Sequence, residues 1–359
     1  MKNDQYYMQL ALDLAASAKG KTNPNPLVGA VIVKDGSIVG TGLHRKAGEP
    51  HAEVHAFRMA GEHAKDATLY VTLEPCSHFG KTPPCANLVK ESGVKRIVVA
   101  MQDPNPSVAG RGINLLRDAG IEVDVGVLEE QARRLNERFI HNMLTSRPFV
   151  ISKFAMTLDG KIATYSGHSQ WITGEEAREN VHELRNEVDA ILVGIGTVLK
   201  DNPALTTRLK NRTCKNPIRI VLDRELRTPL DAQIVQTDEA KTIIVTAEDQ
   251  QHKASAFENL GVELLYVPVI DSKLDLNVML DELYKRGITD ILVEGGGEVN
   301  ASFLRNGLIQ KFLVYVAPKV LGGRNSITPF TGDDVETIDA AMLLQFAEVD
   351  YVGEDLRIT

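Results

Sequence analysis

Three short segments of this chain carry residue types that could do chemistry together: His51-Ala52-Glu53, Pro75-Cys76 and Cys85. Zinc favours four tetrahedral positions, and a catalytic site fills three with protein and leaves the fourth to water. One imidazole and two thiolates supply that count. The bound metal lowers the pKa of its water toward neutrality, so the water oxygen can attack an amidine-like ring carbon. Glu53 sits two residues past the histidine, in the first turn of an expected helix. From there it can take the water proton, hand it to a ring nitrogen and help expel ammonia. Cys76 falls where the strand-like run TLYVTL (68–73) meets a loop. Cys85 follows Pro83-Pro84 and opens a helix, whose N-terminus favours a thiolate. In this order the pieces point to hydrolytic deamination of a nucleobase.

Other readings stay open at this level. Two cysteines nine apart could be buried thiols, and a structural zinc site would need a fourth ligand. Candidates for that fourth ligand are His55, one helical turn from His51, and His78. His-x-Glu-x-His is not the spacing of zinc peptidases. His55 is therefore expected to pack or to support the ligands, and His63 and His78 to be exposed. The usual deaminase signature places two residues between its cysteines, whereas eight separate Cys76 from Cys85. A deaminase of guanine or of a tRNA base would carry the short spacing and a basic face. The formal net charge of -8 argues against a nucleic-acid partner.

A second chemical region lies near the other end. VEGGGEVNASF (293–303) reads as strand, glycine run, helix. Such a turn offers bare backbone N–H groups and a positive helix end to a phosphate. It does not fit Gly-x-Gly-x-x-Gly, and it comes late in its domain, so close helix packing is the rival reading. Arg185 and Arg208 are suitable forks for a sugar phosphate, Arg185 having a solvated helix face as its alternative. Trp171, the only tryptophan, could line a ligand or fill a core.

The elements that must position these groups follow from periodicity. At 359 residues two domains are expected, and 43% hydrophobic with 25% charged residues is the composition of a soluble globular protein. The N-terminal stretch reads as an amphipathic helix with Tyr7, Ala11, Leu14, Ala15 and Ala18 on one face, not as a signal peptide. No apolar run reaches membrane-spanning length. With only three cysteines and no disulfide framework, a cytoplasmic enzyme is expected. Strands at 27–33 and 37–43 flank Lys34-Asp35-Gly36, a hairpin signal. A helix at 51–63, strand 68–73, helix 86–92, strand 96–101, helix 112–119 and strand 121–126 complete an α/β domain with a mixed sheet. Residues 129–146 read as one long helix ended by Arg147-Pro148, which places the boundary between domains 1–146 and 147–359. The second half again alternates, with strands at 149–156, 190–196, 217–223, 242–246, 263–269, from 290 and from 312. Its helices fall at 174–187, between 246 and 263, at 274–286 and at 298–306, with a C-terminal pair near 343–358.

PCSHFGKTPPC (75–85) resembles the deaminase domain of the bifunctional riboflavin-biosynthesis family, where the longer loop between cysteines is usual. The same resemblance extends to Asn25 in PNPLVGAV, His44, Lys81, and Asp103 with Asn105 in DPNP, and implies that these hold the pyrimidine ring and ribose phosphate. The second half resembles the reductase domain of that family in KFAMTLDGKIA, SGHSQWIT, ILVGIGTVLKDNPALTTR and ILVEGGGEVNASF, in the family's order. The resemblance implies a cytidine-deaminase-like three-layer first domain, a dihydrofolate-reductase-like α/β second domain, one Zn2+ per chain and NADPH. It implies reductase substrate contacts at Lys153, Ser169, Arg185, Leu205, Arg208 and Glu294. It also implies cofactor contacts at Ala155, Trp171, Thr197 and Asp201, and from Gly296 through Gly297, Glu298, Val299, Asn300 and Ala301 to Ser302. Small pyrimidine ribosyl phosphates as ligands, and a homodimer or homotetramer, complete what the resemblance implies.

Overall fold

Asp35 and Gly36 both take positive φ, 49° and 76°, the backbone a two-residue hairpin requires. They join β1 (Gly29–Lys34) to β2 (Ser37–Leu43), with Lys34 opposite Ser37. The computed structural model that shows this describes residues 3–77, 84–106, 108–210, 212–332 and 335–359. The chain divides into two units, Met1–Ser146 and Arg147–Thr359.

In the first unit α1 (Asp4–Ala16) precedes the hairpin. Then follow α2 (Ala52–Ala60), β3 (Thr68–Leu73), α3 (Cys85–Glu91), β4 (Arg96–Met101), α4 (Arg111–Asp118), β5 (Glu122–Val125), α5 (Glu129–Leu135) and α6 (Glu137–Thr145). The strands form one sheet in the order β2-β1-β3-β4-β5. β1 is antiparallel to both neighbours, while β3, β4 and β5 are parallel, so the sheet is mixed as expected. Small residues seat a helix on each face. A Cβ on Gly29 would stand 1.9 Å from the Ala11 carbonyl oxygen of α1, and one on Gly42 2.1 Å from the Ala52 oxygen of α2. Gly42 pairs with Ala30, whose side chain points opposite to the position of Gly29. α1 and α2 therefore cover opposite faces, which gives three layers.

The single helix expected over 129–146 is two. Asn136, 2% exposed, breaks it because its side chain leaves the helix to serve residue 27. It accepts from Leu27 N at 2.8 Å and donates to Leu27 O at 2.9 Å.

The second unit runs β6 (Phe149–Thr157), α7 (Glu175–Glu187), β7 (Ala190–Gly194), α8 (Ile195–Asp201), β8 (Ile218–Leu222), α9 (Gln233–Gln236), β9 (Thr242–Ala247), α10 (Ala254–Glu258) and β10 (Glu263–Val267). It continues with β11 (Val269–Ile270), β12 (Lys273–Leu274), α11 (Leu276–Lys285), β13 (Asp290–Val293), α12 (Gly297–Arg305), β14 (Lys311–Ala317), β15 (Val349–Val352) and β16 (Asp355–Ile358). Nine strands order as β10-β9-β8-β7-β13-β6-β14-β16-β15. All pairs from β10 to β14 are parallel, and the β15–β16 hairpin is added antiparallel. Both faces are covered, and β7 shows how. Ala190 and Leu192 join a cluster with Met279, Leu283 and Phe303, while Ile191 and Val193 join one with Val198, Ile234 and Phe257. The strand expected over 190–196 stops at Gly194. Ile195 and Val198 are spaced for a helix face, a period that a short apolar run does not reveal. α9 and the small β11–β12 hairpin are further elements that the pattern did not announce. No helix among the described residues is long and apolar enough to cross a membrane.

Candidate functional site

In the first unit, three ends of elements converge. His51 is the N-cap of α2, in extended conformation and with no side-chain cap bond, so its ring is free to serve elsewhere. Cys76 lies just beyond β3, and Cys85 is the first residue of α3. The Cys85 N–H donates to Cys76 Sγ at 3.3 Å. His51 Nδ1 lies 3.2 Å from Cys85 Sγ and 3.6 Å from Cys76 Sγ, and all three ligating atoms fall within 4.8 Å of one another. Ordinary Zn–N and Zn–S bonds at a tetrahedral angle put donor atoms about 3.6 Å apart, so the cradle has the right size. His55 is not part of this cluster. Its Nε2 is buried without a hydrogen-bond partner among the described residues, and His63 is exposed. Lys81 and His78 lie outside the described residues.

Electrostatics prepares the cluster for a cation. The Cys76 thiol is pulled down to about 4 by hydrogen bonds from Cys85 and His51. Cys85, which donates to that thiolate and is buried, is pushed up. A dication held between them would deprotonate both. His51 is raised by its contact with Cys76. Glu53, in the first turn of α2, is 3% exposed, and burial raises its pKa. Its Oε2 has no hydrogen-bond partner among the described residues. A buried carboxylate oxygen left unpaired beside a three-donor cradle is what a general base awaiting a water would look like.

Around the triad, His44 stacks edge-on to His51 with ring centres 5.4 Å apart. His44 Nδ1 is 3.2 Å from the Pro50 oxygen, which can only accept, so that nitrogen carries the proton. Nε2 is then left to accept from Asn25 Nδ2 at 3.0 Å. Burial lowers the His44 pKa, in keeping with a neutral ring. Asp103 Oδ1 accepts from Asn105 N at 2.9 Å. Asn25 and His44 are thus joined to each other beside the ligand His51, and Asp103 and Asn105 share one turn.

In the second unit a cavity of about 620 Å³ opens beside α7, the middle of β6 and the end of β13. Its walls include Lys153, Trp171, Arg178, His182, Arg185, Arg208, Lys210, Glu294 and Tyr315. Arg185 is no solvated face residue. It grips Glu294 with two bonds of 2.8 and 2.9 Å and donates to the Thr206 oxygen at 3.0 Å. Lys153 Nζ stands 3.7 Å from Glu294. Burial would raise Glu294, but Arg185 and Lys153 outweigh it and hold it at about 2. Burial lowers Lys153 against the pull of Glu294. Trp171 is 62% exposed, not core, and Arg178 lies 4.6 Å over its ring. Of the reductase residues expected from sequence, Lys153, Arg185, Arg208 and Glu294 line this cavity. Ser169 and the buried Leu205 do not.

Sequence reasoning passed over His182, Arg178 and Tyr315. His182 Nδ1 accepts from the Arg208 backbone N–H at 3.2 Å, and burial with Arg185 and Arg208 holds it down at about 4. A signal was present, because Arg178, His182 and Arg185 recur at helix spacing along one face of α7. At α12, Gly296 is the N-cap and the first intrahelical bond runs from Asn300 N to Gly296 O. The N–H groups of Gly297, Glu298 and Val299 precede that ladder. The Asn300 side chain points inward, donating to the Pro329 oxygen at 3.0 Å, and Ala301 is buried. Only their backbone could face a cofactor. Ala155 is half-buried on β6, and Thr197 and Asp201 sit on α8, Asp201 exposed.

A three-donor zinc cradle with a buried carboxylate, joined to an α/β unit with a cation-lined cavity and an open helix start, defines a zinc deaminase fused to a reductase. Residues 1–101 match the cytidine and deoxycytidylate deaminase zinc-binding region, and residues 148–358 match the RibD C-terminal domain. The chain belongs to the RibD family of riboflavin biosynthesis proteins. It is 49% identical to the Riboflavin biosynthesis protein RibD of Aquifex aeolicus, over 99% of this chain and 97% of that one. It superposes on Acinetobacter baumannii RibD with TM-score 0.87 at 41% identity, covering 99% and 97% of the two chains. It also superposes on a diaminohydroxyphosphoribosylaminopyrimidine deaminase/5-amino-6-(5-phosphoribosylamino)uracil reductase from Thermotoga maritima, with TM-score 0.86 at 39% identity and the same coverage.

Proposed function

We propose that residues 1–146 hydrolytically deaminate 2,5-diamino-6-(ribosylamino)-4(3H)-pyrimidinone 5′-phosphate. Residues 147–359 then reduce the ribosyl group of the product, 5-amino-6-(5-phosphoribosylamino)uracil, to ribityl. The observation that carries the first step is the His51–Cys76–Cys85 cradle beside Glu53, whose Oε2 has no hydrogen-bond partner among the described residues. His51, Cys76 and Cys85 would hold a zinc ion there, which would lower the pKa of a bound water toward neutrality. Glu53 would carry one proton of that water to the ring nitrogen as the water oxygen bonds to the ring carbon. It would then take the second from the new hydroxyl as the carbonyl forms and deliver it to the amino group, which leaves as ammonia when the C–N bond breaks. Its raised pKa suits a group that must both accept and give a proton. Asn25 and His44 orient the ring, and Lys81, Asp103 and Asn105 hold the ribose phosphate.

In the second step bound NADPH would supply the hydride. The backbone N–H groups of Gly296, Gly297, Glu298 and Val299, ahead of the helix ladder, would hold its pyrophosphate at the start of α12. Asn300, Ala301 and Ser302 form the turn that sets them, and Ala155, Trp171, Thr197 and Asp201 line the rest. Arg185 and Arg208 take the substrate phosphate, with Lys153 and Glu294 around the sugar. The three unpaired thiols suit a reducing cytoplasm.

The protein assembles as a homodimer or homotetramer. Ile338, Leu343, Phe346 and Tyr351 are 86%, 94%, 77% and 77% exposed, and β15 is an edge strand. So much apolar surface beside an open edge favours burial against a second copy.

Mass spectrometry of the diaminopyrimidinone ribosyl phosphate, incubated with zinc-loaded protein before and after NADPH is added, tests both steps. An imino group exchanged for oxygen first, and two hydrogens gained only with NADPH, is expected. No change before NADPH removes the deaminase assignment for this substrate.

A further inference from the structure

Glu74 is a buried acid that neither reaction step uses. It follows β3, two residues before Cys76, and is 5% exposed. Its two oxygens accept four backbone N–H bonds from two separate places. Oε2 takes Asp103 N at 3.2 Å and Gly110 N at 2.9 Å, the two ends of the loop after β4. Oε1 takes Gly112 N at 2.8 Å and Ile113 N at 3.3 Å, in the first turn of α4. Glu74 N in turn donates to Met101 O at 3.0 Å. The same loop carries Asp103 and Asn105. On the far side, Gly112 packs so closely that a Cβ there would stand 2.1 Å from the Pro75 oxygen. One carboxylate thus clamps the loop's entrance, its exit and the following helix onto the segment that carries Cys76.

We propose that Glu74 is a positioning residue for deamination, fixing the Asp103–Asn105 turn relative to the metal-ligand segment before substrate arrives. A carboxylate suits the place because both its oxygens accept, and each serves two donors. Glutamine fills the same volume but turns one of those oxygens into a donor facing two N–H groups, so one pair of bonds must open. The proposal rests on the reading of Asp103 and Asn105 as substrate contacts. A loop set loose weakens substrate binding while the zinc ligands and Glu53 keep their chemistry, which separates KM from kcat.

The test is steady-state ammonia release by full-length, zinc-loaded Glu74→Gln acting on the diaminopyrimidinone ribosyl phosphate. KM is expected to rise about ten-fold or more while kcat stays within about three-fold. Zinc stays at one per chain, and NADPH-dependent reduction of supplied aminouracil is unchanged. An unchanged KM with lowered thermal stability overturns the proposal, leaving Glu74 a fold residue. Lost zinc, or a fall in kcat alone, overturns it too, because the residue then acts on the metal segment. Should the variant not fold, hydrogen exchange on the wild-type chain decides. Amides of Asp103 and Gly110 protected before substrate is added support preorganisation, and protection that arrives only with substrate refutes it. If the wild-type chain releases no ammonia from this compound, the functional reading fails, and the exchange measurement still judges the clamp.

Discussion

Replacing Glu294 by glutamine removes the anion that Lys153 and Arg185 share. Both cations are largely buried, their side chains 15% and 13% exposed, so neither can turn to water when the anion goes. The carboxylate is held at about 2 against an ordinary 4.5. At about 1.4 kcal/mol per unit this corresponds to roughly 3 kcal/mol of stability at neutral pH. The cost of breaking a buried ion pair by deleting one partner, about 3–5 kcal/mol, has the same size. The sign follows from the direction of the shift. A depressed acid contributes fully above its unfolded value of 4.5 and loses that contribution as pH falls through about 2. The deficit of Glu294→Gln should therefore be about 3 kcal/mol at pH 7 and shrink to about 2 kcal/mol near pH 3.5. Urea unfolding followed by tryptophan fluorescence measures it, since Trp171 is the only tryptophan and stands in the second unit beneath Arg178. A deficit under about 1 kcal/mol, or one that does not change between the two pH values, refutes the claim that this carboxylate is strained into its charged form by its neighbours.

Glu53→Gln should slow ammonia release by about 10²-fold or more with zinc retained and the reductase still acting on supplied aminouracil; near-normal release sinks the role given to Glu53. His182→Asn should raise the reductase KM for the phosphorylated substrate several-fold by freeing the Arg208 backbone. Because His182 is held at about 4, it is neutral throughout the working range, and the effect should be the same near pH 6 and near pH 8. A defect that appears only at one end of that range contradicts it. Leu343→Asp with Phe346→Asp should halve the mass seen by analytical ultracentrifugation while leaving ammonia release intact, and an unchanged mass shows that this stretch is not the contact.

The zinc cradle was legible because its chemistry needs particular residue types at element ends, and His51, Cys76 and Cys85 advertise themselves. Alternation of apolar runs likewise disclosed both α/β units, since a strand buried on both faces has few other ways to be written. What stayed hidden depends on long-range partners. Asn136 reads as an ordinary polar residue in a helical stretch until Leu27, 109 positions away, claims both ends of its amide. Arg185 reads as a fork for a phosphate, with a solvated helix face as its alternative, and its bidentate partner Glu294, again 109 positions away, appears only in the fold. Glu74 shows the same limit from the acid's side, its bonds reaching backbone N–H groups that no side-chain pattern encodes. A motif therefore locates the atoms that react, and the groups that hold them in place become visible only once the sheet has brought distant segments together.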